Sequence, residues 1–268
     1  MTLTPSGQRF YQHALQLHGR AREFEQKILG ERNEVAGEIA VACFESLAPL
    51  YAPALIASFQ REFPGVMVRL DVGAQERIIQ GLRSGAYDVA ICYSQGLPKS
   101  ISQVGLLPDL YPHAILPMGH RLAGSGPVSL SMLTEDPFIL LDIWPSNEYF
   151  LSLFKDAGLN PKIAYHAPSL ELVRGLVGQG LGFSLLVTEP VNNTTFDGKE
   201  VISLPLSDRL APSRIVMSWN GSSELTHTMR QFLRHCQAFV QIPKDAAAQR
   251  RETLAIVSAV SRAGVPRG

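Results

Sequence analysis

The apolar positions of the chain fall into two textures. Between Leu3 and Leu29 they are sparse: Phe10, Ala14, Leu17, Ala21, Phe24 and Ile28 recur at alternating steps of four and three, separated mostly by glutamine, arginine and glutamate. That spacing is the a/d seam of a helix that packs against another helix. Thr4 can cap it, Pro5 suits the first helical position, and no other proline occurs before Pro49. So narrow a stripe forms no core of its own, and a second copy of the helix is the simplest partner.

A polar, glycine-bounded stretch (30–37) follows, and then short apolar runs alternate with helical patterns. Residues 39–43 are continuously apolar, as in a strand covered on both faces. The pattern predicts a helix over 47–63, strand 66–72, helix 75–83 and strand 88–92. This β-α-β-α-β order implies a parallel sheet with right-handed crossovers. Two strand-like runs, 103–107 and 111–116, flank Pro108-Asp109 and lead the chain towards a second lobe. There the pattern gives a helical turn at 130–133, strand 138–141, helix 148–157, strand 163–165, a helix from Ser169 to about 177 and strand 183–187. A polar loop covers 192–198, followed by strands 201–204 and 213–219 and a helix over 224–239. Order is not expected in the alanine- and arginine-rich segment 243–268.

Composition narrows the function more than it names it. With 268 residues, 46% of them hydrophobic, the chain can bury a core in one or two domains. The 24 basic and 24 acidic residues balance, which argues against wrapping nucleic acid unaided. No run of 18 apolar residues or signal-peptide order is present, so a cytoplasmic protein without membrane association is expected. Cys43, Cys92 and Cys236 lack metal-type spacing and read as reduced, buried thiols. Cys43 and Cys92 end strands that the fold could set side by side, yet burial would make them inert.

Four segments resemble one family. Leu3-Thr4-Pro5-Ser6-Gly7 followed by Phe10 and Ala14 is similar to the exit from the winged helix-turn-helix of LysR-type transcriptional regulators. The run from Phe63 to Ile91 resembles that family's "FP-x-V-x-L-x-x-G … L-x-x-G-x-x-D-x-A-I". LPMGHRLAG resembles "LP-x-x-H-P-L-A", with Arg121 in place of proline, and LVGQGLGFSLL resembles "V-x-x-G-x-G-x-x-L-L". The resemblance implies a two-lobed, periplasmic-binding-protein-like α/β effector domain preceded by a long N-terminal linker helix. The division expected is 1–36 for the end of the winged helix-turn-helix and the dimerising linker. The effector domain would span 37–242, with lobe I about 37–107 and 212–242 and lobe II about 108–211. The implied function is transcription regulation as a dimer or tetramer in response to a small-molecule effector. DNA would be reached only through the family's N-terminal domain, largely missing from this sequence, or through a full-length partner. The alternatives are a solute-binding protein or a small-molecule enzyme on the same fold.

Catalytic chemistry is thinly represented. The glycines of 175–182 close a helix and open a strand, the reverse of a phosphate-cradling loop. No nucleophile elbow, HExxH or histidine ligand spacing occurs, so neither catalysis, metal nor cofactor is expected. Binding is better served, because ligands of open α/β sheets lie beyond the carboxyl ends of the strands. In the first lobe those ends carry Glu45, Ser46, Gln75 and Tyr93; the family resemblance gives Ser46 and Gln75 effector contacts. Glu45 either complements the helix dipole or faces the cleft, where it would favour a cationic or hydrogen-bond-donating ligand. In the second lobe Asp142, Trp144, Ser146, Asn147, Ser169, Phe183 and Thr188 are expected near the cleft. Trp144 reads as a lid aromatic or a packed loop anchor, and Ser169 chiefly as a helix cap.

Overall fold

The computed structural model describes residues 35–188 and 192–241, with 4–7, 9–11, 13, 14, 17, 19–21 and 24 of the N-terminal segment. The described N-terminal residues from Pro5 onward are helical, and the Gly7 amide donates to Thr4 Oγ1 at 3.1 Å, the expected cap. Of the seam, Phe10, Leu17 and Phe24 are 76%, 69% and 66% exposed, and Ala14 and Ala21 are also exposed. Ile28 lies outside the described residues.

Lobe I begins with β1 (Gly37–Phe44), whose last six residues are all buried. Helix α1 (Ala48–Glu62) returns the chain to β2 (Val66–Gly73), and α2 (Gln75–Ser84) leads to β3 (Val89–Tyr93). Both β2 and β3 run parallel to β1, as expected of βαβ units. Strand β4 (Ile101–Gly105) is joined to the sheet only through β10 (Ile215–Asn220), giving the order β2-β1-β3-β10-β4. The last helix, α6 (His227–Gln241), packs beside α1, where Phe59 and Phe232 meet edge to face at 4.9 Å.

Lobe II repeats this plan. Strand β5 (His113–Pro117) precedes the short α3 (Leu130–Leu133), and then β6 (Pro137–Leu141), α4 (Ser146–Asp156), β7 (Lys162–Ala167), α5 (Leu170–Gly178) and β8 (Ser184–Leu186) form a second β-α-β-α-β unit. Strand β9 (Val201–Pro205) completes the lobe, antiparallel to β5. A bridge between Phe138 and Phe183 joins the two small sheets into one row, β7-β6-β8-β5-β9. Each lobe thus holds four strands running one way and one, β10 in lobe I and β5 in lobe II, running against them in the equivalent place. Gly182 sits at this junction with φ of +150°, and a Cβ there would lie 2.2 Å from the Pro137 carbonyl oxygen. Only glycine lets the chain leave α5 and approach β6 so closely.

The lobes are joined by two crossings, after β4 and before β10, which pair where Leu110 and Ser213 exchange backbone hydrogen bonds of 2.9 and 2.8 Å. This pairing explains one shift from expectation: Ser213, read as the start of a sheet strand, belongs to the crossing. Ser146 and Asn147, expected in a loop, open α4 instead. Cys43 and Cys92 are neighbours in the sheet but not side by side. Cys43 is in register with Ile91, so alternation sends Cys92 to the opposite face, where its thiol meets Ser218 Oγ at 3.3 Å. Burial pushes all three thiols up to about 12, which keeps them protonated.

Candidate functional site

The turn from β1 into α1 is three residues long, closed by the Leu47 amide donating to the Phe44 carbonyl at 2.9 Å. It leaves Glu45 and Ser46 at the carboxyl end of β1, with Pro49 and Leu50 on the first turn of α1. Facing them from lobe II are Ile143, the N-terminus of α5 and the loop from Asn192 to Phe196. Between the lobes lies a cavity of about 530 Å³, within the range of small-molecule sites.

The lobe II wall depends on Arg174. Its side chain is only 4% exposed and spans from α5 to the loop. Nη1 donates to Glu171 Oε2 at 2.6 Å, and Nη2 donates to the carbonyls of Asn192 and Thr194 at 2.9 and 3.0 Å. Glu171 grips the same loop through its other oxygen, which accepts from the Phe196 amide at 2.7 Å. Helix and loop are thereby clamped together, and the Phe196 ring projects at the cavity wall, 94% exposed. Arg174 Nε is buried without a hydrogen-bond partner among the described residues.

On the lobe I side, Ser46 is buried and its Oγ likewise closes no hydrogen bond. It does lie near enough to the Tyr93 phenol to offset part of the upward shift that burial imposes on Tyr93. Glu45 is half-buried, and burial, then the charge of Glu76, raise its carboxyl above the ordinary range.

The structure brings Glu45, Ser46 and Ser169 together in the cavity wall. Ser169 also accepts from the Leu172 amide at 3.3 Å, so it caps α5 while lining the site. Gln75 is fully buried beneath: Nε2 bridges the carbonyls of Tyr93 and Gln95 at 2.8 and 2.6 Å, tying the ends of β2 and β3 together. Tyr93 packs edge to face on Phe44 at 5.3 Å, behind the wall. Asp142 accepts from Asn147 Nδ2 at 2.8 Å and pairs with His166 Nδ1 at 3.0 Å, which keeps it on the exposed side of its loop. Trp144 instead crosses between lobes. Gly96 has φ of +73°, and a Cβ there would fall 2.4 Å from Trp144 Cζ2, so the indole meets lobe I at a position only glycine permits. Phe183, expected in the cleft, packs with Phe138 at 5.1 Å in the core of lobe II, because Ser184, not Phe183, begins the ladder with β5. Thr188 is buried and absent from the wall.

Sequence reasoning missed Arg174, Glu171 and the loop. Arg174 stands three residues after Glu171 on a helix, the usual mark of a surface ion pair, and nothing local shows that its face is covered. The lining offers hydrogen bonds and charge, but Ser46 Oγ has no general base bonded to it. Among the described residues, no three His, Cys, Asp or Glu side chains cluster to hold a metal ion.

Comparison with known proteins bears on the family and the fold. The sequence profile of the LysR substrate binding domain matches residues 32–241. The crystal structure of HinK, a LysR family transcriptional regulator from Pseudomonas aeruginosa, is similar, with 46% identity and a TM-score of 0.76 over 89% of this chain and 81% of that one. The HTH-type transcriptional regulator TtuA of Agrobacterium vitis is 26% identical over 69% of this chain; the chain spans 62% of that protein's length. The effector-binding domain of QuiR, solved in complex with shikimate, shares the fold, with 17% identity and a TM-score of 0.66 over 77% of this chain and 98% of that one. The chain belongs to the LysR substrate-binding domain family.

Proposed function

We propose that this chain is the sensor of a LysR-type transcriptional regulator, taking a small-molecule effector in the interlobe cavity and acting as a homodimer or tetramer in the cytoplasm. The observation that carries the reading is the cavity itself, a space of about 530 Å³ walled by Glu45, Ser46 and Leu50 of lobe I and by Ile143, Ser169 and Arg174 of lobe II. That QuiR holds shikimate in a domain of the same fold supports a ligand between the lobes. Residues 37–242 are then the sensor and 1–36 the linker that couples it to a winged helix-turn-helix, joined to it or supplied by a full-length partner. The effector must favour one arrangement of the lobes over another to change the output.

Two apolar surfaces support self-association. One is the exposed helix seam; the other is the edge of lobe I, where Leu70 and Val72 of β2 are left uncovered beside α1. Two separate interfaces are what a tetramer of identical chains needs. Among the described residues no helix is long and apolar enough to cross a membrane.

A thermal-shift screen of a metabolite library against the wild type and Leu50→Trp, which fills the cavity, tests the reading. Stabilising compounds should be found, and the variant should lose them. Hits that stabilise both proteins equally would place the site elsewhere.

A further inference from the structure

We propose that the cavity selects a small organic cation, an apolar body carrying a protonated amine, and that Glu45 is the residue that recognises its charge. The proposal rests on the effector-sensing reading above and specifies the chemistry of its ligand.

Three ionisable side chains line the cavity: Glu45, Glu171 and Arg174. Two carboxylates against one guanidinium leave the wall net negative. Their availability differs more than their number. Arg174 has both terminal nitrogens committed, one to Glu171 and the other to two loop carbonyls, so the paired N–H fork that grips a carboxylate or phosphate is already occupied. Glu171 is committed on both oxygens, to Arg174 and to the Phe196 amide. Glu45 stands apart. Among the described residues its carboxylate takes part in no hydrogen bond or ion pair, and its nearest charged influence is Glu76, of the same sign.

An anionic ligand would therefore meet an unpaired carboxylate, while the guanidinium that could offset it is already paired with Glu171. A cationic ligand finds the opposite: Glu45 for the charge and the exposed Phe196, whose π system attracts cations. Leu50, Ile143 and Leu170 cover the remaining surface and suit an apolar body.

Calorimetry with the whole chain and three probes of one shape, benzylamine, benzyl alcohol and benzoate, tests this. In the wild type the amine should bind more tightly than either analogue by roughly ten-fold. Glu45→Gln, which keeps size and removes charge, should erase that preference by weakening the amine far more than the alcohol. Leu50→Trp should abolish binding of all three, with Leu170→Trp as the second blocking variant should the first not fold. Benzoate binding as tightly as the amine, an amine affinity unchanged in Glu45→Gln, or no binding by the amine each overturns cation selection. Preference for benzoate that both blocking variants abolish overturns only the ligand class and leaves the cavity as the effector site. Amine binding that survives both overturns the cavity.

Discussion

Replacing Arg174 by methionine removes three hydrogen bonds from a charged, buried group and leaves a side chain of similar reach. Bonds to charged groups contribute about 1.5–3 kcal/mol each, a gross ~4.5–9 kcal/mol for the three. Two features of the structure reduce this. The Glu171 side chain is 23% exposed and can turn to water once its partner is gone, and the Asn192 and Thr194 carbonyls belong to a surface loop that can do the same. Methionine also restores much of the apolar packing of the arginine stem. A net loss of about 3 kcal/mol follows. For a chain of this size that lowers Tm by roughly 6–12 °C. Urea denaturation reads the first quantity. Hydrogen exchange at the Phe196 amide, whose acceptor is Glu171 Oε1, reads the local one, and protection there should fall further than in β1. A loss under about 1 kcal/mol with Phe196 protection unchanged would refute the view that Arg174 clamps the loop.

Two further outcomes are expected. Leu17→Glu places a charge in the exposed seam and should weaken dimerisation in sedimentation experiments while leaving cavity binding intact; a mutant still fully dimeric would remove the seam as the main contact. Glu45→Gln should make the unliganded protein more stable at pH 7. Burial and then Glu76 raise the Glu45 carboxyl, so the folded state holds its proton more firmly than the unfolded state, and wild-type stability falls as pH rises from about 4.3 through the raised value. The advantage of the variant should vanish below about pH 4, as denaturation at the two pH values would show. A variant less stable at pH 7 would mean that the helix dipole of α1 outweighs burial.

The sheet-forming segments were legible because their signals are local. Residues 39–43 and 89–93 are apolar without alternation, and only a strand covered on both faces calls for that. Amphipathic runs and Ser169 marked the helices between them. The order of the sheet was legible only in part: nothing in Ile215–Asn220 tells that it lies between β3 and β4, since both pairings join residues over a hundred positions apart. In the site, the strand ends announced Glu45 and Ser46. Phe183 illustrates the opposite case, because an apolar strand residue near a cleft and one in the core have the same periodicity. The 192–196 loop has no periodicity at all, and the contacts by which Arg174 and Glu171 hold it at the cavity lie far apart in sequence.

The equivalence of the lobes hides an asymmetry in how the chain supplies them. All five strands of lobe II lie between His113 and Pro205, so that lobe can assemble from one contiguous stretch. Lobe I receives β10 only after lobe II has been traversed, and β4 has no other strand neighbour. During synthesis from the N-terminus, β4 therefore emerges with its edge unpaired and stays so until residues 216–220 follow. Lobe II closes first and lobe I is sealed around its finished neighbour, so the cavity between them is the last part of the molecule to take shape.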